Sequence, residues 1–149
     1  MKSTARIGTH PIHPMLVAFP IGLWVTSFVF DVIGGLLDHD GLHVAAYYMA
    51  VAGCIGALAA ALPGLIDLLT VIPGGTPTRR TGWIHALLNV AALALFAASV
   101  WLRPWPGAMN YPAYLTAAVA VLVLGYSGWL GGSLVYDDKV GVPAEPAPR

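Results

Sequence analysis

The stretch IGTHPIHPMLVAFPIGLWVTSFVF, residues 7–30, contains no charged side chain. A helix needs about 20 mostly apolar residues to cross the hydrocarbon core of a bilayer. Three further uncharged stretches of that length follow, at residues 41–66, 81–102 and 110–136. The sequence therefore predicts four membrane-spanning helices, near residues 14–37, 43–71, 81–102 and 112–136.

The composition agrees with a membrane location. Of 149 residues, 58% are hydrophobic and only 9% are charged, whereas soluble domains carry about 25% charged residues. The seven positive and seven negative side chains leave no basic excess to neutralise phosphates, which argues against a nucleic-acid partner. A single cysteine, Cys54, excludes a disulfide framework. The lipid bilayer is the one partner that the composition indicates.

Short segments rich in turn residues separate the four stretches and predict one all-α domain over residues 1–141. This domain is an integral membrane four-helix bundle with up-down-up-down topology. The Pro-rich tail, residues 142–149, is predicted to be disordered. No internal sequence repeat is evident.

The distribution of basic residues predicts the orientation of the bundle. Four helices place both termini and the second connection on one side, which holds Lys2, Arg6, Arg79, Arg80, Lys139 and Arg149. The other side holds Arg103 alone. Because cytoplasmic loops carry the excess of Lys and Arg, both termini are expected in the cytoplasm.

Small residues line one side of the second and fourth helices. In the fourth helix, Gly128 and Gly132 form a GxxxG pattern, which lets helix backbones approach closely. Such a stripe predicts either a homo-oligomer through Gly128 and Gly132 or room for a flat ligand.

Ionisable side chains are costly inside a bilayer and usually face the interior of a bundle. The predicted topology brings most of them to one membrane depth near the cytoplasmic side. This predicted cluster comprises His10, His13, Asp67, His85, Asn89, Tyr136 and Asp137. A second group lies near the other side and is interpreted as a solvated turn, comprising Asp38, His39, Asp40 and His43. Asp31 lies inside the first span and is expected to bond a neighbouring helix.

The segment HPIHPMLVAFPIGL, residues 10–23, resembles the opening of an uncharacterised bacterial membrane family, domain of unknown function 2231. Further matching stretches are residues 63–67, His85 with Asn89, and residues 131–136. The resemblance implies a four-helix protein of the bacterial inner membrane. Relatives are sometimes joined to electron-transfer modules, so the resemblance favours redox chemistry and a redox or respiratory complex as partner.

Three functional interpretations remain open, and the first is a b-type haem protein. His13 and His85 are expected at equal depth on the first and third helices, which are diagonal and run in the same direction. Two such imidazoles suit the axial positions of a haem. The other candidates are Asp67 and Asn89, which would orient an imidazole, and Arg79 and Arg80, which would meet the propionates.

The second interpretation is a non-haem metal site or a proton path. Its candidate ligands are His10, His13, Asp67 and His85, whose nitrogen and oxygen donors suit a transition metal such as Zn²⁺, Fe²⁺ or Cu²⁺.

The third interpretation is structural. Here His13 and His85 bond Asp67 and Tyr136, and the protein is an accessory membrane subunit. The chain lacks a GxSxG elbow, a Walker loop, a dinucleotide fingerprint and HExxH, so we expect a non-enzyme rather than an enzyme.

Overall fold

The computed structural model describes residues 1–142 and confirms the predicted four-helix membrane fold. The helices are α1 (Ile12–Leu37), α2 (Asp40–Thr70), α3 (Pro77–Trp101) and α4 (Tyr111–Tyr136). All four are long and apolar enough to cross a membrane. The predicted disordered tail, apart from Val142, lies outside the described residues.

Two helices begin at residues whose side chains accept a hydrogen bond from the first turn. Thr76 precedes α3, and its Oγ1 accepts a hydrogen bond from the Arg79 amide at 3.2 Å. Asn110 precedes α4, and its Oδ1 accepts from the Ala113 amide at 2.9 Å. A proline follows directly after Thr76, where its missing amide hydrogen costs nothing. This cap explains why α3 begins earlier than the predicted residue 81.

The connection between α1 and α2 consists of Asp38 and His39 alone. Asp38 adopts a left-handed conformation with φ of 51°, and the His39 amide donates to the Gly34 carbonyl at 2.9 Å. So short a connection forces the two helices into an antiparallel hairpin. A longer connection joins α3 and α4 into the second hairpin.

A small antiparallel sheet precedes α1 and was not predicted. Its strands are β1 (Arg6–Ile7) and β2 (His10–Pro11), and each is too short to leave an alternating pattern in the sequence. The Gly141 amide donates to the Met1 carbonyl at 2.8 Å, so the two ends of the described chain meet. We call this end of the bundle, which also carries the α2–α3 connection, the terminal end; the other is the opposite end.

Packing is closest within each hairpin and looser between the two hairpins. Small residues line the tight contacts within the hairpins: Ala46, Ala50, Ala113, Ala117 and Ala120 are buried. Between the hairpins, Trp24 stacks on Phe96 with ring centroids 4.6 Å apart. Large apolar side chains cover the outside, among them Phe19, Leu62, Leu87, Leu122 and Trp129. An apolar exterior around a small-residue interior is what a bilayer solvent favours.

Candidate functional site

A cavity of about 360 Å³ lies between the two hairpins, in the half of the bundle near the terminal end. All four helices contribute to its walls, which are largely apolar. The polar side chains that line it are His13, Asp67, His85 and Asn89. A mostly apolar cavity of this volume with a few convergent polar groups is typical of a ligand site.

His13 is the second residue of α1 and reaches across to α2. Its Nδ1 lies 2.8 Å from the Ala60 carbonyl oxygen. Because a carbonyl oxygen can only accept, Nδ1 carries the hydrogen, and the neutral ring keeps a lone pair on Nε2. The ring fits against Gly64, where a Cβ atom would lie only 2.7 Å from Nδ1.

His85 repeats this arrangement in the second hairpin. It lies on α3, and its Nδ1 is 2.8 Å from the Ser127 carbonyl oxygen on α4. A Cβ atom at Gly131 would lie 3.0 Å from its Cε1. The Asn89 amide donates to Nε2 at 3.0 Å, which requires the lone pair to be on Nε2. Both imidazoles are therefore held in the same tautomer by main-chain carbonyl groups.

The structure brings the two imidazoles together inside the bundle. Their ring centroids are 6.3 Å apart and their planes are at 87° to each other. Both are half-buried, and they come from helices that run in the same direction. These two side chains, seventy-two positions apart in the sequence, form the centre of the candidate site.

The separation of the imidazoles can be compared with that of two ligands on one metal ion. With metal–nitrogen bonds of about 2.0–2.1 Å, imidazoles on opposite sides of an ion have ring centroids about 6.4 Å apart. The observed 6.3 Å between His13 and His85 fits this value. A ligating histidine also usually donates its other ring N–H to a carbonyl or carboxylate, as both do here. The amide of Asn89 must turn away from Nε2 before His85 can bind a metal.

Asp67 lines the same cavity as the histidines but does not bond them, so the predicted hydrogen bond between them is wrong. Its carboxylate accepts hydrogen bonds from Ser3 Oγ at 2.6 Å, Thr4 N at 2.8 Å and Ala5 N at 3.0 Å. Asp67 therefore fastens the segment before α1 to the end of α2. No sequence pattern predicted this contact, because nothing marked the position of residues 3–5.

The predicted four-ligand metal site is not assembled either. His10 lies on β2, where its ring is exposed and its Nδ1 is 3.4 Å from Thr9 Oγ1. Tyr136, the predicted partner of an imidazole, is 75% exposed at the end of α4. Within residues 1–142, no group of three or more His, Cys, Asp or Glu residues could hold a metal ion.

The two candidate propionate partners have different surroundings. Nη1 of Arg79 donates to the Ile72 carbonyl at 2.6 Å and lies 3.4 Å from the Leu69 carbonyl. Arg79 thus satisfies carbonyl groups at the end of α2, while Arg80 is exposed. Of the pair, Arg80 has the accessible guanidinium group.

Asp31 does bond a neighbouring helix, as expected, but its main partner was missed. Its Oδ1 lies 3.1 Å from His43 Nδ1 on α2 and 3.1 Å from Arg103 Nη1, and Oδ2 pairs with Nη2. Asp31 is 1% and Arg103 6% exposed. The sequence did contain a signal for this ion pair. Arg103 is the one basic residue predicted on that side of the membrane, and Asp31 is the one acidic residue inside the first span.

The glycines of the two stripes have different roles. Gly53 and Gly64 on α2 make room for Trp24 and His13, whereas a Cβ atom at Gly128 would meet nothing within 4 Å. Within residues 1–142, nothing covers the GxxxG face of α4 at Gly128, and a homo-oligomer through this face stays a prediction.

Comparison with known proteins gives one match. A family model described as "Predicted membrane protein (DUF2231)" matches residues 9–144. No curated protein and no solved structure matches the chain.

Proposed function

The chain belongs to this family of membrane proteins, and we propose that its interior cavity binds haem b for electron transfer within the membrane. His13 and His85 would hold the haem iron, each through Nε2. The observation that carries the proposal is their ring separation of 6.3 Å combined with a main-chain acceptor at each Nδ1.

The surrounding residues fit this use of the histidines. The carbonyls of Ala60 and Ser127 hold both rings with Nδ1 protonated, which leaves a lone pair on each Nε2 and would raise its basicity toward a bound metal. Gly64 and Gly131 leave space for the imidazoles against α2 and α4. When bound, haem supplies one-electron redox chemistry, and the apolar walls exclude water from it.

Polar residues near the terminal end complete the proposed site. Asn89 donates a hydrogen bond to Nε2 of His85, and its amide would have to turn away for Nε2 to hold the haem. Arg80 provides an exposed positive charge for a propionate, whereas the guanidinium of Arg79 is engaged by the end of α2.

The proposed location is the bacterial inner membrane with the terminal end in the cytoplasm. Of the six Lys and Arg residues within residues 1–142, five lie at that end, which agrees with the positive-inside rule. The electron donor or acceptor is then a component of a redox or respiratory complex.

An absorbance spectrum tests the proposal. Protein purified in detergent from haem-replete cells should show sharp α and Soret bands after reduction with dithionite. His13→Ala and His85→Ala should each remove these bands, and added imidazole should restore them in part because it replaces the missing ligand. The matched control is His10→Ala, which should keep the wild-type spectrum. A colourless wild-type protein from such cells contradicts the proposal.

One contact favours a second, structural function. The hydrogen bonds from Asn89 and to the Ser127 carbonyl satisfy both nitrogens of His85 without any ligand. In that case His85 joins α3 to α4 and the protein is an accessory subunit. A colourless wild-type protein that is thermally destabilised by His85→Ala and co-purifies with a defined complex would support it.

A further inference from the structure

The two hairpins are built on one pattern. Ser27 lies 14 residues after His13, and Ser99 lies 14 residues after His85. Each serine Oγ donates to a carbonyl of the partner helix in its own hairpin: Ser27 to Ala46 at 2.7 Å and Ser99 to Ala113 at 2.9 Å. The first and third helices thus carry the same two contacts at the same interval.

The second and fourth helices match in the same way. Ala60 accepts the His13 hydrogen bond and lies four residues before Gly64; Ser127 accepts the His85 bond and lies four residues before Gly131. The residues that seat each imidazole therefore recur in order. The sequence did not show this repeat because the contacts need only main-chain carbonyls and small residues, which many sequences supply.

Equivalent positions of the two hairpins meet across the bundle. Asp31 and Arg103 are 72 residues apart, and the same interval separates His13 from His85 and Trp24 from Phe96. The bundle therefore has an approximate two-fold axis parallel to its helices, as found in membrane proteins with parallel repeats. We name the three pairs on this axis the histidine layer (His13 and His85), the aromatic layer (Trp24 and Phe96) and the charge layer (Asp31 and Arg103).

Two of the three layers do not distinguish one hairpin from the other. A histidine layer made from two copies of the α1–α2 hairpin would hold two imidazoles, as the native one does. An aromatic layer of two tryptophans would also be apolar. By these layers alone, a hairpin could pair with its counterpart in a second copy of the chain.

The charge layer does distinguish them. The α1–α2 hairpin contributes Asp31, supported by His43 Nδ1, and the α3–α4 hairpin contributes Arg103, whose side chain is 1% exposed. Pairing of like hairpins would place two carboxylates or two guanidinium groups together, without water. An unpaired charge in such surroundings is strongly destabilising, and repulsion of this kind is how interfaces reject wrong partners.

We propose that the charge layer selects the pairing of the α1–α2 hairpin with the α3–α4 hairpin and excludes the pairing of like hairpins from two copies. The short α2–α3 connection, residues 71–76, then makes the complementary hairpin of the same chain the favoured partner, because its effective concentration is high. This proposal concerns assembly and does not depend on what the histidine layer binds.

The test uses complementary charge reversals in full-length chains. Asp31→Arg places two guanidinium groups in the charge layer, and Arg103→Asp places two carboxylates there. Each single variant should lose most of its monodisperse monomer in detergent, measured by size-exclusion chromatography with light scattering. Co-expressed with different tags, the two variants should co-purify in equal amounts, because each supplies the charge that the other lacks. Neither should co-purify with wild-type chains to the same extent.

Two further samples control for loss of folding. The double variant Asp31→Arg/Arg103→Asp restores opposite charges within one chain and should recover monomer relative to both single variants. Asp40→Arg reverses an exposed charge at the same end of the bundle and should behave as wild type. The proposal is overturned if either single variant stays monomeric like wild type, or if neither the double variant nor the co-expressed pair recovers. These readouts are independent of haem content.

Discussion

A Cβ atom on Gly64 would lie 2.7 Å from Nδ1 of His13, so the imidazole keeps its position only because residue 64 has no side chain. Gly64→Ala should therefore displace His13 and reduce haem content several-fold. The measurement is the reduced absorbance spectrum at equal protein concentration. Gly125→Ala is the matched control, since a Cβ atom there meets nothing within 4 Å and alanine favours the helix by about 1 kcal/mol. Equal haem contents in the two variants would contradict the assigned role of Gly64.

The perpendicular imidazoles predict a spectroscopic signature. If haem b is held by both imidazoles with their planes at the observed 87°, the two ligands would interact with different iron d orbitals, and the oxidised low-spin centre should give a strongly axial electron paramagnetic resonance signal. A rhombic signal would mean that the ligand planes are parallel, contrary to this structure.

Asp67 should affect stability more than ligand binding. Asp67→Ala removes the acceptor for Ser3, Thr4 and Ala5 and should destabilise the terminal end by about 2 kcal/mol, given that hydrogen bonds to charged groups contribute about 1.5–3 kcal/mol each and water replaces some of them. Thermal unfolding and proteolysis of the first residues should report the change. The haem spectrum should remain, because the imidazoles bond main-chain carbonyls. Complete loss of the bands, as in His85→Ala, would instead assign Asp67 to the ligand site.

The aromatic layer should be the main apolar contact between the hairpins. Phe96 is 1% exposed and stacks on Trp24, so Phe96→Ala leaves a cavity and should cost about 3–5 kcal/mol of folding free energy. Denaturant titration in mixed detergent micelles would measure it. Phe19→Ala changes a side chain that is 68% exposed and should cost much less in the same assay; similar losses would argue against close packing at the axis.

The approximate two-fold symmetry predicts equal effects at equivalent serines. Ser27→Ala and Ser99→Ala each remove one hydrogen bond to a carbonyl of the partner helix, and each should cost about 0.6–1.7 kcal/mol. Thermal melting of the two variants should shift by similar amounts, and the effects should add in the double variant because the sites share no partner. A large effect at one serine and none at the other would show that the two hairpins do not gain equal stability from these hydrogen bonds, contrary to the symmetry.

The sequence determined the spans and the depth of the histidines. A bilayer requires about 20 apolar residues per helix, so the uncharged stretches located all four helices. The fixed rise of a helix then placed His13 and His85 at one level, whatever the details of packing. These conclusions depend on chain length and periodicity, which are properties of the sequence itself.

Only the tertiary structure decided which groups are bonded to each other. Asp67 was expected beside the histidines but accepts hydrogen bonds from residues 3–5, and Arg103, counted only as a loop charge, pairs with Asp31 inside the bundle. Helical periodicity fixes the height and face of a residue. A hydrogen bond requires its donor and acceptor atoms to be placed to within a few tenths of an ångström, and that depends on rotamers and on the path of the connecting segments. The repeat was hidden because most of its contacts need only main-chain carbonyls and small residues, and because the equivalent positions Asp31 and Arg103 carry complementary rather than identical side chains.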